Sequence, residues 1–231
     1  MVGAVDAVLR RGRRRARIRH ADRMGMAASR YAAMGWPVCP GAYPPGPARR
    51  PGEEPRACSC DRLGCPSPGA HPMSPAWHLQ ATTDLAQVRR WWQARPEANV
   101  ILATGRAFDV LDVPAAAGTM ALSRMKRSGV RPGPVAMGAG DRALFFVATR
   151  GTPGDEDEWW PCHLDSEPET VEQVAGLRWH CRDSYVLAPP SRSGHGQRVY
   201  WLRPPAGQPA ALPDALRLLP FLADACEDAV G

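Results

Sequence analysis

Residues 99–114 read NVILATGRAFDVLDVP. Two short apolar runs, NVILATG and FDVLDV, are separated by Gly105-Arg106-Ala107. Each has the length and the Val/Ile/Leu content of a buried strand, with a glycine break between them. Upstream, TTDLAQVRRWWQARP puts Leu85, Val88, Trp91 and Trp92 on one apolar helix face, with Thr83 as N-cap and Pro96 as stop. Downstream, AAGTMALSRMKRSG predicts a helix closed by Gly129. The strands PVAMG and RALFFVAT follow, joined through Gly138-Ala139-Gly140-Asp141, and strand-like pieces resume at GLRWHC, YVLAPPS and RVYWL. An earlier helix is expected over AASRYAAMGW, and the tail LPDALRLLPFLADACEDAV reads as helix interrupted at Pro220. Strands and helices that mix without strict alternation predict an α+β domain.

A second segment, CSCDRLGCPSPGAHP at 58–72, packs Cys58, Cys60, Cys65 and His71 into a Pro- and Gly-rich loop. Three thiols and an imidazole form a soft-ligand set able to wrap one Zn²⁺ tetrahedrally, in which case the metal supplies folding energy that so apolar-poor a loop lacks. The alternative is a loop of reduced, unliganded cysteines.

The 231 residues suffice for one sizeable core or a domain with an appendage. No apolar run approaches the length of a membrane span, so no membrane partner is expected. An odd count of seven cysteines suits a reducing, cytoplasmic setting better than a disulfide framework. Lys126 is the only lysine among 29 basic residues, and Pro, Gly and Ala abound, a bias that points to a GC-rich, actinobacterial type of host. The net charge of +6 equals the eight Arg less two Asp of residues 1–24, so the rest of the chain is balanced. That first segment reads as a disordered basic arm for nucleic acid, or as a start assigned too far upstream of Met24 or Met26. Residues 152–172 are acidic and read as an exposed excursion. The expected division is therefore an arm at 1–24, a domain at 25–205 and a helical tail at 206–231.

Five segments occur in a telling order: YAAMGWPVCP; CSCDRLGCPSPGAHP followed by ATTDLAQVRRWWQARPEANVILATG; FDVLDVP; GAGDRALFF; and YVLAPPSRSGHGQRVYW. Together they resemble the N-terminal domain of bifunctional DNA primase/polymerases (Prim-Pol), a branch of the archaeo-eukaryotic primase superfamily. The resemblance covers roughly residues 27–203. It implies a primase-like core on an RRM-like sheet, an N-terminal α/β unit, and the cysteine loop as a zinc-knuckle-like family signature, in which Ala70 replaces a common Lys.

The resemblance also implies nucleotidyl transfer with Mg²⁺ or Mn²⁺, carried by two acids two apart on a strand, a later His and a third carboxylate. Two hard cations need such a carboxylate set. In FDVLDVP the first acid is Asp112, but Pro114 stands where the second belongs, and Asp109, offset by three, falls on the other strand face. In GAGDRALFF, Arg142 is kept and Ala143 takes the histidine's place. In GLRWHC, Arg178 aligns with the third carboxylate. A lone acid among guanidiniums holds divalent ions poorly, so the expectation is a protein of DNA-replication ancestry that has lost catalysis, a pseudoenzyme. It would keep nucleotide or single-stranded DNA binding, with Arg142 and Arg178 as candidate phosphate ligands, or a regulatory role beside replication or regulatory proteins. Two alternatives stand beside it. One is an active polymerase with a rearranged metal centre recruiting Asp141 or Asp183; the other is a non-enzymatic interaction scaffold. His78, His163, His180 and His195 show no metal or triad spacing and read as ordinary. Trp91, Trp92 and Trp201 read as core, and Trp159 and Trp160 as packing or a partner contact.

Overall fold

The computed structural model describes residues 22–45, 58–60, 62, 64–149, 174–194, 196–207 and 209–230. The arginine-rich stretch before residue 22, most of the Pro-rich run, the acidic segment with Trp159, Trp160 and His163, and His195 lie outside the described residues.

The chain begins with helix α1 at 22–33, whose Met24, Ala28, Tyr31 and Ala32 are buried at helical spacing. Strand β1 (Val38–Gly41), a short helix α2 (Trp77–Gln80) and helix α3 (Leu85–Ala94) follow. The N-cap of α3 is Asp84 rather than Thr83: its carboxylate accepts from the Ala86 N–H at 2.9 Å. Thr82 in turn takes the Asp84 N–H, so the capping role moves one residue along. Val88 and Trp92 are buried as the apolar spacing demands.

Strands β2 (Asn99–Ala103) and β3 (Asp109–Pro114) are the two runs of the opening segment, and they enter different sheets. Gly105 makes the change of sheet with φ at +82°, where a Cβ would sit 2.2 Å from the Arg182 backbone. Strand β2 is the centre of an antiparallel sheet β1-β2-β7, with β7 at Tyr185–Leu187. Strand β3 lies inside an antiparallel sheet β6-β3-β5-β4-β8, built with β4 (Val135–Gly138), β5 (Arg142–Val147), β6 (Arg178–His180) and β8 (Tyr200–Arg203). Helix α4 (Ala115–Arg127) starts directly from β3 and ends at Gly129, which holds φ +67° as a helix stop should.

Helix α5 (Ala215–Val230) runs through Pro220 instead of breaking there. Proline removes one backbone hydrogen bond, but Leu218, Leu222, Ala225 and Cys226 on either side are buried against the sheet and α4. That packing outweighs the local loss.

Strand alternation divides the larger sheet cleanly. Leu111, Val113, Ala143 and Phe145 face α4 and α5. Val110, Ala136, Leu144 and Phe146 face the N-terminal unit, in one cluster with α1, α3 and Trp36. Trp36 stacks on Phe146 at 5.2 Å and meets Phe108 at 4.7 Å. Fully burying a Phe contributes about 2 kcal/mol, so this aromatic joint is a substantial part of what holds the two sheets together.

Candidate functional site

Antiparallel register brings Arg178, Asp112, Leu144, Ala136 and Trp201 into one row across the larger sheet. All five side chains share the face turned toward the N-terminal unit. One step along the same face, Pro114 stands opposite Arg142. Asp112, Arg142 and Arg178 are therefore gathered on one surface.

Asp112 is 5% exposed and its carboxylate is fully engaged. Arg142 Nε donates to Oδ1 at 2.7 Å, and Nη2 donates to the Asp112 carbonyl at 2.9 Å and to the Gly176 carbonyl at 2.6 Å. His180 Nε2 lies 3.3 Å from Oδ2, and its Nδ1 lies 3.0 Å from Ser184 Oγ. A carboxylate only accepts, so the Asp112 contact puts the imidazole proton on Nε2, and Nδ1 accepts from the Ser184 hydroxyl. The order Ser184–His180–Asp112 resembles a nucleophile relay. Ser184 is buried, however, and Arg142 neutralises the acid, so the arrangement is a hydrogen-bonded clasp.

His180 and Ser184 were not legible as site residues. The signal lay in GLRWHC: His180 is two residues from Arg178 and must share its strand face. Arg178 itself is exposed, opposite Asp112, with no ion-pair or hydrogen-bond partner among the described residues. Ala143 points the other way, into the helix-side core, where Gly118 packs so close that an added Cβ would stand 2.4 Å from it. A histidine at 143 would neither fit nor reach Asp112.

Asp109 lies on the helix-side face, as the offset of three requires. Burial pushes its carboxyl up to about 6, against hydrogen bonds from Trp179, Thr149 and the Gly105 backbone. Asp141 and Asp183 sit at turns with φ of 55° and 58°. Among the described residues, no group of three or more His, Cys, Asp or Glu side chains converges at Asp112. The residues described around Asp112 do not fit a pair of catalytic divalent ions: one carboxylate, already bound by a guanidinium, offers too few oxygens.

The cysteine loop is the opposite case. The ligand atoms of Cys58, Cys60, Cys65 and His71 all lie within 4.8 Å of one another. Cys58 Sγ is 3.4 Å from His71 Nε2, close to the edge of a tetrahedron with metal bonds of about 2.0–2.3 Å. His71 Nδ1 meets the Pro72 carbonyl at 2.8 Å, which turns the Nε2 lone pair to the cluster, and the Gly69 N–H donates to Cys58 Sγ at 3.3 Å. A backbone N–H bond from Arg62 holds the Cys60 thiol down near 7, whereas burial pushes Cys65 up to about 11. This donor set fits one metal ion.

The family model for the N-terminal domain of bifunctional DNA primase/polymerase (Prim-Pol) matches residues 28–215. The chain belongs to the Prim-Pol family. No curated protein matches it. The Prim-Pol match spans both sheets, the cysteine cluster, Asp112, Arg142 and Arg178, and it ends at the first residue of α5. Membership implies a nucleotide- or nucleic-acid-binding lineage. No helix among the described residues is long and apolar enough to cross a membrane.

Proposed function

We propose that this Prim-Pol protein is deficient in nucleotidyl transfer and acts by binding nucleotide or nucleic acid, in a regulatory role beside replication proteins. The observation that carries this reading is the clasp on Asp112. The one acid on this face of β3 is bound by Arg142 and His180, and the next residue on that face is Pro114. A guanidinium in that position repels the cations that the family's chemistry requires. It leaves a surface suited to an anion. Arg178, exposed and with no ion-pair partner among the described residues, is the first phosphate contact, with Arg142 behind it as fixed positive charge.

In this reading residues 25–205 form the primase-like domain, with the RRM-like sheet as its core, and residues 206–231 form a tail whose helix α5 packs onto it. Zn²⁺ in the Cys58–Cys60–Cys65–His71 cluster supplies structure rather than chemistry. Primer extension with Mg²⁺ or Mn²⁺ tests the first part: no template-dependent product is expected. Robust synthesis that Asp112→Ala abolishes would overturn the proposal in favour of a rearranged metal centre.

A further inference from the structure

We infer that the hairpin at 191–199, with the exposed stripe of α1, is a docking surface for the phosphodiester backbone of single-stranded nucleic acid, held by Arg23, Arg192 and Arg198. This rests on the nucleic-acid-binding reading above and adds where the strand lies, on residues other than Asp112, Arg142 and Arg178.

The hairpin pairs Arg192 directly with Arg198 in antiparallel register, which sets both side chains on the same side of the ribbon. Like charges opposite one another destabilise a β-ribbon. Burial favours the neutral form of Arg192, and the charges of Arg198 and then Arg23 add to that pressure, so the three guanidiniums share one field. None of the three has an ion-pair partner among the described residues, where Arg124, Arg142 and Arg182 each have one.

The crowding persists because the backbone around it is pinned. Asn99 holds Arg192 at both backbone groups, with Nδ2 to the carbonyl at 2.6 Å and Oδ1 from the N–H at 3.2 Å. Gly194 N–H donates to the Pro68 carbonyl at 2.6 Å, and Gln197 Oε1 accepts from the Gly140 N–H at 2.8 Å. The arginine side chains themselves do none of this holding. Between them Ser193 is 4% exposed, and its hydroxyl has no hydrogen-bond partner among the described residues. Charge without a partner among the described residues, on a backbone pinned at Arg192, Gly194 and Gln197 and beside a buried hydroxyl, is what an anion site requires.

A polymer fits better than a free phosphate. Arg23, Met26 and Arg30 form one exposed stripe along α1, at i, i+3 and i+7. The stripe leads to an open cavity of about 250 Å³ walled by Tyr31, Pro189, Pro190 and Trp201, with Arg30 among its lining residues. Cations alternating with an apolar slot match a strand that alternates phosphates with unstacked bases.

The test is fluorescence anisotropy of labelled oligothymidylate on the full chain over a salt series. The wild type is compared with Arg192→Gln/Arg198→Gln, Arg192→Lys/Arg198→Lys and Arg178→Ala. Loss of two phosphate contacts lowers the slope of log K against log salt by about 1.4, since each contact on a single strand contributes about 0.7. The Gln pair is expected to show that loss with at least a tenfold weaker affinity, and the Lys pair to retain the slope. Thermal unfolding of each variant checks that the fold is intact. An unchanged slope in the Gln pair overturns this inference and leaves the nucleic-acid-binding reading standing; a loss confined to Arg178→Ala moves the strand to the Asp112 face. Displacement of the oligonucleotide by dTTP, lost in the Gln pair, would make the site one for a monomer and also overturn the inference. No binding by the wild type at low salt overturns both readings.

Discussion

Arg142 holds Asp112 at two points, Nε at 2.7 Å from the carboxylate and Nη2 at 2.9 Å from the backbone carbonyl of the same residue. The pair ties the start of β5 to the end of β3, and the Gly176 carbonyl draws in the segment before β6. Arg142→Leu leaves a 5%-exposed carboxylate with only His180. The expected loss is about 2–3 kcal/mol in urea unfolding, below the roughly 3–5 kcal/mol of a fully buried pair, because Arg142 keeps 17% exposure. Primer extension is expected to be absent in this variant too, since freeing one acid does not supply a second.

The cysteine cluster predicts one tightly held Zn²⁺ per chain, measurable by elemental analysis of the purified protein. Chelation, or Cys60→Ser, is expected to lower Tm by several degrees, because a loop with so little apolar surface depends on its metal. An unchanged Tm with no bound metal would return the loop to reduced, unliganded cysteines.

Asp109 gives the folded state an unusual pH dependence. Its carboxyl titrates near 6 when folded and near 3.8 when unfolded. Between those values the folded state holds a proton that the unfolded state has released, so stability falls as pH rises through this window and the full penalty is present above it. Asp109→Asn keeps an acceptor for Trp179 Nε1 and removes the charge. The variant is expected to be about 3 kcal/mol more stable than wild type at pH 7.5, a difference that vanishes below about pH 3.

Gly118 lies inside α4, where alanine would ordinarily add about 1 kcal/mol of helix stability. Here a Cβ would stand 2.4 Å from Ala143 Cβ, so α4 would have to lift off β5. Gly118→Ala is expected to lower Tm, the overpacking cost of about 1–3 kcal/mol exceeding the gain in propensity.

Local pattern carried much of the fold into the sequence. The runs around Val100 and Val110 gave their strands, Val88 and Trp92 gave the buried face of α3, and Gly129 gave the end of α4. What pattern missed was set by tertiary contact. Pro220 stays helical because of Leu218 and Leu222, and Asp84 caps α3 because Thr82 is spent on its backbone N–H. The site was legible only by composition. The order of Asp112, Arg142 and Arg178 along the chain could be compared with a family pattern, but which side each faces depends on register between strands far apart in sequence. That register put His180 beside Asp112 and turned Ala143 away from it.

Asn99 is 1% exposed, and its Nδ2, with two protons to share, lies within hydrogen-bond distance of the carbonyls of Ala42 at 2.9 Å, Gly69 at 2.7 Å and Arg192 at 2.6 Å. Gly69 belongs to the cysteine loop and Arg192 to the arginine hairpin, so one side chain spans two loops that share no covalent neighbourhood. Asn99 is thus the contact through which the two loops would be coupled. Any such coupling is reciprocal: a factor by which an occupied hairpin changes the metal affinity of the cysteine loop is the factor by which a bound metal changes the hairpin's affinity for its ligand.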